Sequence, residues 1–310
     1  MTDKAYYRTD SVKLILSRKS NTAREQPLNG NRALVCDVKR LYGENRIGQF
    51  KEIAEQLKRK ISRFEGVSGI VFMGGLTRGF ADKYSDVDIT VLLAEKDESL
   101  RERIKNIGLD TRKNSGVDLD LEVYFLEEFK ARKWSEIAEW DFSHSNVAFD
   151  RNGDVKKLLN EKLTVPNSFW VKRIIVYGEY LEWYCCPPRE SDETLADIWV
   201  ERGDLTSAHY CVNYAMTLLI RMVYALNKEF LPPPKWEIFQ SYGLKWLPPD
   251  YKRLIDRVLT VKSLSKPELK RRLKAIRTLW REISSKIKKE TGLTPESIQK
   301  QYVKHVLKQG

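Results

Sequence analysis

The chain has 310 residues, 42% of them hydrophobic and 32% charged, and a net charge of +12. That length suits two domains, each with its own core, and the apolar content excludes a chain that stays disordered. No apolar stretch approaches a bilayer span, and no collagen, heptad or solenoid period runs through the sequence, which excludes spanning-helix, fibrous and repeat architectures.

Residues 1–44 are an N-terminal extension of unassigned structure, with a Pro-Leu-Asn-Gly-Asn turn cluster at 27–31 and a short apolar run at 33–36. Ile47, Phe50, Ile53, Ala54, Leu57, Ile61 and Phe64 recur at helical spacing and predict an amphipathic helix over 47–64. Gly66 ends it, and 67–73 reads as a buried strand bounded by Gly74-Gly75. A polar connection over 76–84, opening on a helical turn, leads to a second strand over 87–93. On that strand Val87, Ile89 and Val91 share one face, and Asp86, Asp88 and Thr90 share the other. A helix over 97–107 and a third strand over 117–126 follow, the strand carrying Asp118, Asp120 and Glu122 on one face. A short helix over 127–138 and a short strand over 146–149 close this part.

Past about residue 155 the strand-like alternation fades. Helices are predicted over 168–184, 192–201, 204–229, 249–261, 267–290 and 295–308. The breakers between them are Pro187-Pro188, Gly203, Pro232-Pro233-Pro234, Pro248-Pro249 and Gly292-Leu293-Thr294-Pro295. The expected class is α+β: a small mixed sheet with flanking helices over 1–155, followed by an all-helical domain over 156–310.

Charge is unevenly spread. Residues 1–60 hold 14 Lys/Arg against 7 Asp/Glu and residues 262–310 hold 14 against 4, so the middle of the chain is acidic on balance. Basic ends suit nucleic acid or an anionic substrate, although a charge run on a solvated helix face needs no ligand. Cys36, Cys185, Cys186 and Cys211 form no CxxC pair, which argues against zinc. The adjacent Cys185 and Cys186 are badly placed for a disulfide. This usage fits a reducing cytoplasm, and the first twenty residues show no signal peptide.

Chemistry concentrates in Val71-Phe-Met-Gly-Gly-Leu-Thr-Arg-Gly79 and Ser85-Asp-Val-Asp-Ile89. A strand running into two glycines lets the backbone turn sharply and approach a ligand closely, and the N–H groups of such a turn suit a phosphate. Arg78 adds a charge-assisted donor. Asp is depleted in strands, so Asp86 and Asp88 on one face ask for a reason; a cation between them is one. Mg²⁺ takes such oxygen ligands together with substrate phosphates, and a two-metal site needs a third carboxylate nearby. The third strand offers one in Asp118, Asp120 or Glu122.

This constellation resembles the core of the polymerase-beta-like nucleotidyltransferase superfamily: a strand, Gly-Gly, roughly ten residues, Asp-x-Asp, and an acid on a later strand. Gly74, Gly75, Asp86 and Asp88 match it position by position, and Ser85 matches a frequent Ser before the first Asp. The run Asp120-Leu-Glu-Val-Tyr-Phe-Leu-Glu-Glu-Phe129 fits the acidic strand and following helix best when Asp120 is the third acid. More loosely, Arg202-Gly-Asp-Leu-Thr-Ser-Ala208, Tyr224-Ala-Leu-Asn227 and Lys235-Trp236 are similar to the helical domain of aminoglycoside and lincosamide nucleotidyltransferases.

The resemblance implies a nucleotidyltransferase fold and the transfer of a nucleoside monophosphate, with ATP or another NTP as donor. The acceptor would be a hydroxyl-bearing small molecule, and pyrophosphate would leave. Mg²⁺ or Mn²⁺ would be held by Asp86, Asp88 and Asp120, and the nucleotide by Gly74, Gly75, Arg78, Ser85 and Lys235. The basic termini keep RNA in view as acceptor, and a protein is a further one. Two other classes stand beside this reading: a ribonuclease similar to the HEPN family, using Arg202 and His209, and a non-catalytic nucleotide-binding protein. Tyr210, Tyr214 and Trp199 are candidates for an acceptor pocket or for the helical core, and Asp204 for a ligand contact or a helix cap.

Overall fold

The computed structural model describes residue 41, residues 43–189 and residues 191–303. The features expected at 27–31 and 33–36, Cys36, His305 and the end of the last predicted helix lie outside the described residues. The chain divides into two compact units. One runs up to Val165 and includes the segment Phe230–Trp236; the other comprises Pro166–Glu229 and the chain from Glu237 onward.

The first unit holds α1 (Ile47–Ile61), β1 (Val67–Phe72), α2 (Gly74–Arg78), β2 (Val87–Leu93), α3 (Glu98–Ser115), β3 (Leu119–Phe125), α4 (Leu126–Ala131), α5 (Glu136–Ser143), β4 (Asn146–Asp150) and α6 (Asp154–Leu163). The four strands form a mixed sheet in the order β3-β2-β1-β4. β1 runs antiparallel to β2 and β4, and β2 runs parallel to β3. Alternation dictates the faces. Val87, Ile89, Val91 and Leu93 join Phe50, Ile53, Leu57 and Ile61 of α1 and Ile104 of α3 in one apolar core. Asp88 and Thr90 therefore take the opposite face, where Asp120 and Glu122 sit beside them in register.

Three elements depart from the sequence expectation. The helix predicted over 97–107 runs on to Ser115, where Gly116 ends it with φ +65°. The helix predicted over 127–138 is two helices, because Ser135 caps a new start by accepting from the Ala138 N–H. Between them Trp134 turns inward onto Phe129 and Phe142, with centroids 5.2 Å and 4.7 Å away. α6 was not predicted, although Val155, Leu158, Leu159 and Leu163 bury one face at helical spacing. The Asp150 carboxylate starts it by accepting from the N–H groups of Gly153, Val155 and Lys156.

The second unit contains α7 (Asn167–Tyr184), α8 (Leu195–Glu201), α9 (Leu205–Leu226), α11 (Tyr251–Leu259), α12 (Lys266–Thr291) and α13 (Pro295–Tyr302). α10 (Pro234–Ser241) was read as a break. Its leading Pro234 occupies the first helical position, where a missing N–H costs nothing.

The polar centre of the second unit is Arg272, fully buried on α12. Its guanidinium donates to the Val258 carbonyl (2.7 Å), to the His209 carbonyl (3.2 Å) and Nδ1 (2.8 Å), and to the Asn213 side-chain oxygen. Because Nδ1 accepts, the proton sits on Nε2, which reaches the Ser265 carbonyl at 3.3 Å. Burial lowers the His209 pKa further. His209 is thus a neutral structural imidazole, 3% exposed, and does not serve as the acid or base of a ribonuclease. Arg202 lies over the Trp199 ring at 4.9 Å, and Gly203 breaks the chain just after it with φ +83°. His209→Ala is expected to cost about 1–3 kcal/mol of stability, the penalty for orphaning buried donors, and to leave nucleotide chemistry unchanged; chemical denaturation and turnover assays check this.

One buried group carries an unbalanced cost. Glu182 on α7 is 5% exposed, and among the described residues neither carboxyl oxygen has a hydrogen-bond partner. Burial, aided by the charges of Glu179 and Glu296, pushes its pKa up to about 9 from an ordinary 4.5. The folded state therefore keeps a proton that the unfolded state loses. Stability is greatest below pH 4.5 and falls as pH rises toward 9. Glu182→Gln removes that slope, so the variant should gain on the wild type by about 1–3 kcal/mol between pH 5 and 9, read by denaturation at each pH.

Candidate active site

The site is built by strand pairing. Antiparallel register sets Phe72 opposite Ile89, and the Met73 N–H donates to the Asp88 carbonyl at 3.1 Å. Gly74, the second residue after β1, therefore arrives beside the start of β2. It fits because it has no side chain: a Cβ there would stand 1.6 Å from Asp88 Oδ2, and its φ is +59°. A Cβ on Gly75 would meet the Phe80 carbonyl at 3.0 Å. Parallel register then pairs Asp88 with Asp120 and Thr90 with Glu122. Asp86, two residues before Asp88 and exposed, shares its face. Asp88 thus lies against the glycine turn, with the charges of Asp86 and Asp120 acting on it.

Residues 51–152 match the family described as a nucleotidyltransferase domain. This part of the chain is a nucleotidyltransferase domain. Solved structures similar to the chain include a nucleotidyltransferase-like protein from Exiguobacterium sibiricum 255-15, at 13% identity and a TM-score of 0.37, with 77% of this chain and 76% of that one covered. A toxin–antitoxin solved with AMP-PNP matches at 16% identity and a TM-score of 0.29, over 42% of this chain and 96% of that one. No curated protein matches. The family match marks this domain as a transferase of the nucleotidyltransferase type.

Electrostatics in the nucleotidyltransferase domain centre on Asp88. Burial, then the Asp86 charge, push its carboxyl up to about 7 against the pull of Arg78, with Asp120 and Asp141 adding to the rise. Arg78 ends α2, and its guanidinium lies 4.8 Å from the centroid of the Trp236 ring. Burial lowers its pKa, while Asp88, Asp141 and Asp86 oppose that shift. Among the described residues Arg78 has no hydrogen-bond or ion-pair partner, so its N–H donors are uncommitted.

Asp141, on α5, was not anticipated. Burial raises its carboxyl to about 6, while Arg78 and then Lys235 hold it down and Glu122 pushes it up. It lies in Trp-Asp-Phe-Ser-His, which has no motif spacing from either acidic strand, so only tertiary packing reveals it. Lys235 itself is exposed and belongs, through Phe230–Trp236, to the unit that contains the sheet.

Other candidates are engaged elsewhere. Asp118 pairs with Arg112 at 2.5 Å and is well exposed. Glu122 stands beside the Tyr124 hydroxyl. Ser85 ties its own loop: its hydroxyl accepts from the Asp82 N–H at 3.0 Å and donates to the Asp82 carboxylate at 3.1 Å. Asp204 caps α9 by accepting from the Thr206 and Ser207 N–H groups, and Tyr214 packs on Tyr184 with centroids 4.6 Å apart. A cleft of about 270 Å³ between α1 and α3, lined by Gln56, Lys60, Asp110 and Asn114, includes none of Asp86, Asp88 and Asp120.

Among the described residues no three His, Cys, Asp or Glu side chains are grouped to hold a metal ion by themselves. The buried cysteines 185, 186 and 211 are free thiols, and burial raises the pKa of each. No described helix is long and apolar enough to cross a membrane.

Proposed function

We propose that the domain moves a nucleoside monophosphate from a nucleoside triphosphate to an acceptor hydroxyl and releases pyrophosphate. The observation that supports this most directly is the seating of the Asp88 carboxylate against Gly74. It gathers carboxylates, a glycine turn and an uncommitted guanidinium at one place.

The donor set fits a hard divalent cation. Two carboxylates on one face, one of them buried enough to resist ionisation, are stabilised as anions by Mg²⁺ or Mn²⁺. Such ions take one or two carboxylates and complete their shell with phosphate oxygens and water, so a ready-made cage of three side chains is not required. Asp86 and Asp88 would hold the ion, with Asp120 adjoining. When bound it would polarise the phosphoryl group and neutralise developing charge.

The chain's own residues supply the rest. Gly74 and Gly75 leave room for the polyphosphate against the backbone, and Arg78 donates to its oxygens through charge-assisted hydrogen bonds. Lys235 adds a second positive charge on the side of Asp141. Asp120 accepts the proton of the acceptor hydroxyl as it attacks in line. Positioning and electrostatics then provide most of the acceleration. ATP as donor and a small hydroxylated molecule as acceptor follow from the resemblance noted above.

The test is incubation with each Mg-NTP and a panel of hydroxylated small molecules, RNA ends and proteins, reading pyrophosphate and adduct mass. Pyrophosphate release matched by an acceptor heavier by one nucleoside monophosphate is expected. Tight Mg-NTP binding with no adduct on any acceptor would instead mark a nucleotide-binding protein.

A further inference from the structure

We propose that Trp236 is a positioning residue of the nucleotide site: its indole face holds the Arg78 guanidinium flat, so that the N–H edges stay turned toward a polyphosphate. This rests on the reading of Arg78 as a phosphate ligand and extends it.

Three observations carry the inference. First, Phe230–Trp236 is remote in sequence from the sheet, yet belongs to the same compact unit. Of its two last residues, the charge of Lys235 acts on Asp141 and Trp236 lies against Arg78. Second, the guanidinium carbon of Arg78 lies 4.8 Å from the Trp236 ring centroid, within the range of a cation–π contact, for which tryptophan is the strongest partner. Third, among the described residues Arg78 has no hydrogen-bonding or ionic partner. An arginine side chain is long and rotamer-rich, and ordering it costs free energy. A carboxylate partner would fix it but would occupy the donors that a phosphate needs. A stacking partner fixes the plane and leaves all five N–H donors available. Asp141 complements this arrangement: its charge acts on both Arg78 and Lys235, which offsets the repulsion between two cations before the anion arrives.

The inference is tested with full-length protein and magnesium tripolyphosphate as the probe, titrated by calorimetry. The proteins are wild type, Trp236→Phe, Trp236→Leu, Arg78→Ala and the double variant Arg78→Ala/Trp236→Leu. Leucine fills apolar space without a π face, and phenylalanine keeps one. Trp236→Leu should weaken binding about three- to tenfold, as loss of a partly desolvated cation–π contact implies. Trp236→Phe should stay within about twofold of wild type, and Trp236→Leu should cost nothing further once Arg78 is alanine. In turnover assays the Trp236→Leu change should appear in the KM for nucleotide and not in kcat. Wild-type binding by Trp236→Leu, or an equal loss in the Arg78→Ala background, would overturn the positioning role. Wild-type binding by Arg78→Ala would overturn the assignment of Arg78 itself and this inference with it.

Discussion

Gly74→Ala is expected to abolish transfer and to lower the melting temperature. The new Cβ would stand 1.6 Å from Asp88 Oδ2 and 2.6 Å from its Cγ, so the carboxylate must leave the position that defines the site. The backbone must also carry a side chain at φ +59°, which costs about 1–2 kcal/mol for any L residue. A metal or phosphate ligand displaced by an ångström loses about a hundredfold in rate, and removal of the carboxylate from the site loses more. The two effects separate in a cycle. In an Asp88→Ala background the nearest remaining contact of the new Cβ is with the Asp88 Cβ at 3.2 Å, so the steric part of the destabilisation should largely vanish while the backbone part persists. Equal destabilisation in both backgrounds would show that the clash is not with Asp88.

Asp88→Asn is expected to reduce turnover by at least about a thousandfold while raising stability. A metal's charge stabilisation is worth several kcal/mol, each 1.36 kcal/mol being tenfold in rate, and an amide is a poor substitute for the anionic ligand. Stability moves the other way because the native carboxyl titrates at about 7 against an ordinary 3.8. The folded state holds that proton more tightly than the unfolded chain does. Metal-free wild type is therefore most stable below about pH 4, loses stability as pH rises to 7, and stays at the lower level above it. At pH 8 the asparagine variant lacks that penalty and should melt higher than the wild type. Added Mg²⁺ should raise the wild-type melting temperature and leave the variant unmoved, since only binding to the folded state shifts it. A variant that melts lower than wild type in metal-free buffer at pH 8 would count against a strained, charge-loaded Asp88.

Much of the domain was legible in sequence because its signals are local. Alternation along Asp86-Val-Asp-Ile-Thr-Val fixed the strand and both its faces, and the glycine pair marked where β1 had to stop. The observed β2 (Val87–Leu93) coincides with the expectation. Register was not legible. That Asp120 stands directly beside Asp88 follows from the parallel pairing of β2 and β3, which no spacing within the chain encodes. Asp141 escaped for the same reason, since it comes from a short helix two elements later; Trp236 was noted beside Lys235, but its contact with Arg78 was not legible. His209 illustrates the opposite error. A histidine seven residues from an arginine suggested acid–base chemistry, and only the distant Arg272 reveals it as a buried acceptor. Short caps such as those of Ser135 and Asp150 were present in the sequence, but the helices they start are only 8 and 10 residues long, too short for a helical period to stand out.

The most direct measurement is a diffraction experiment on crystals grown with Mn²⁺ and a non-hydrolysable nucleoside triphosphate, using the anomalous signal of manganese. The expected map places the ion against the carboxylates of residues 86 and 88, with the triphosphate lying over Gly74 and Gly75 and touching the Arg78 guanidinium. Manganese bound elsewhere, or a triphosphate lodged away from that end of the sheet, would contradict the proposed chemistry.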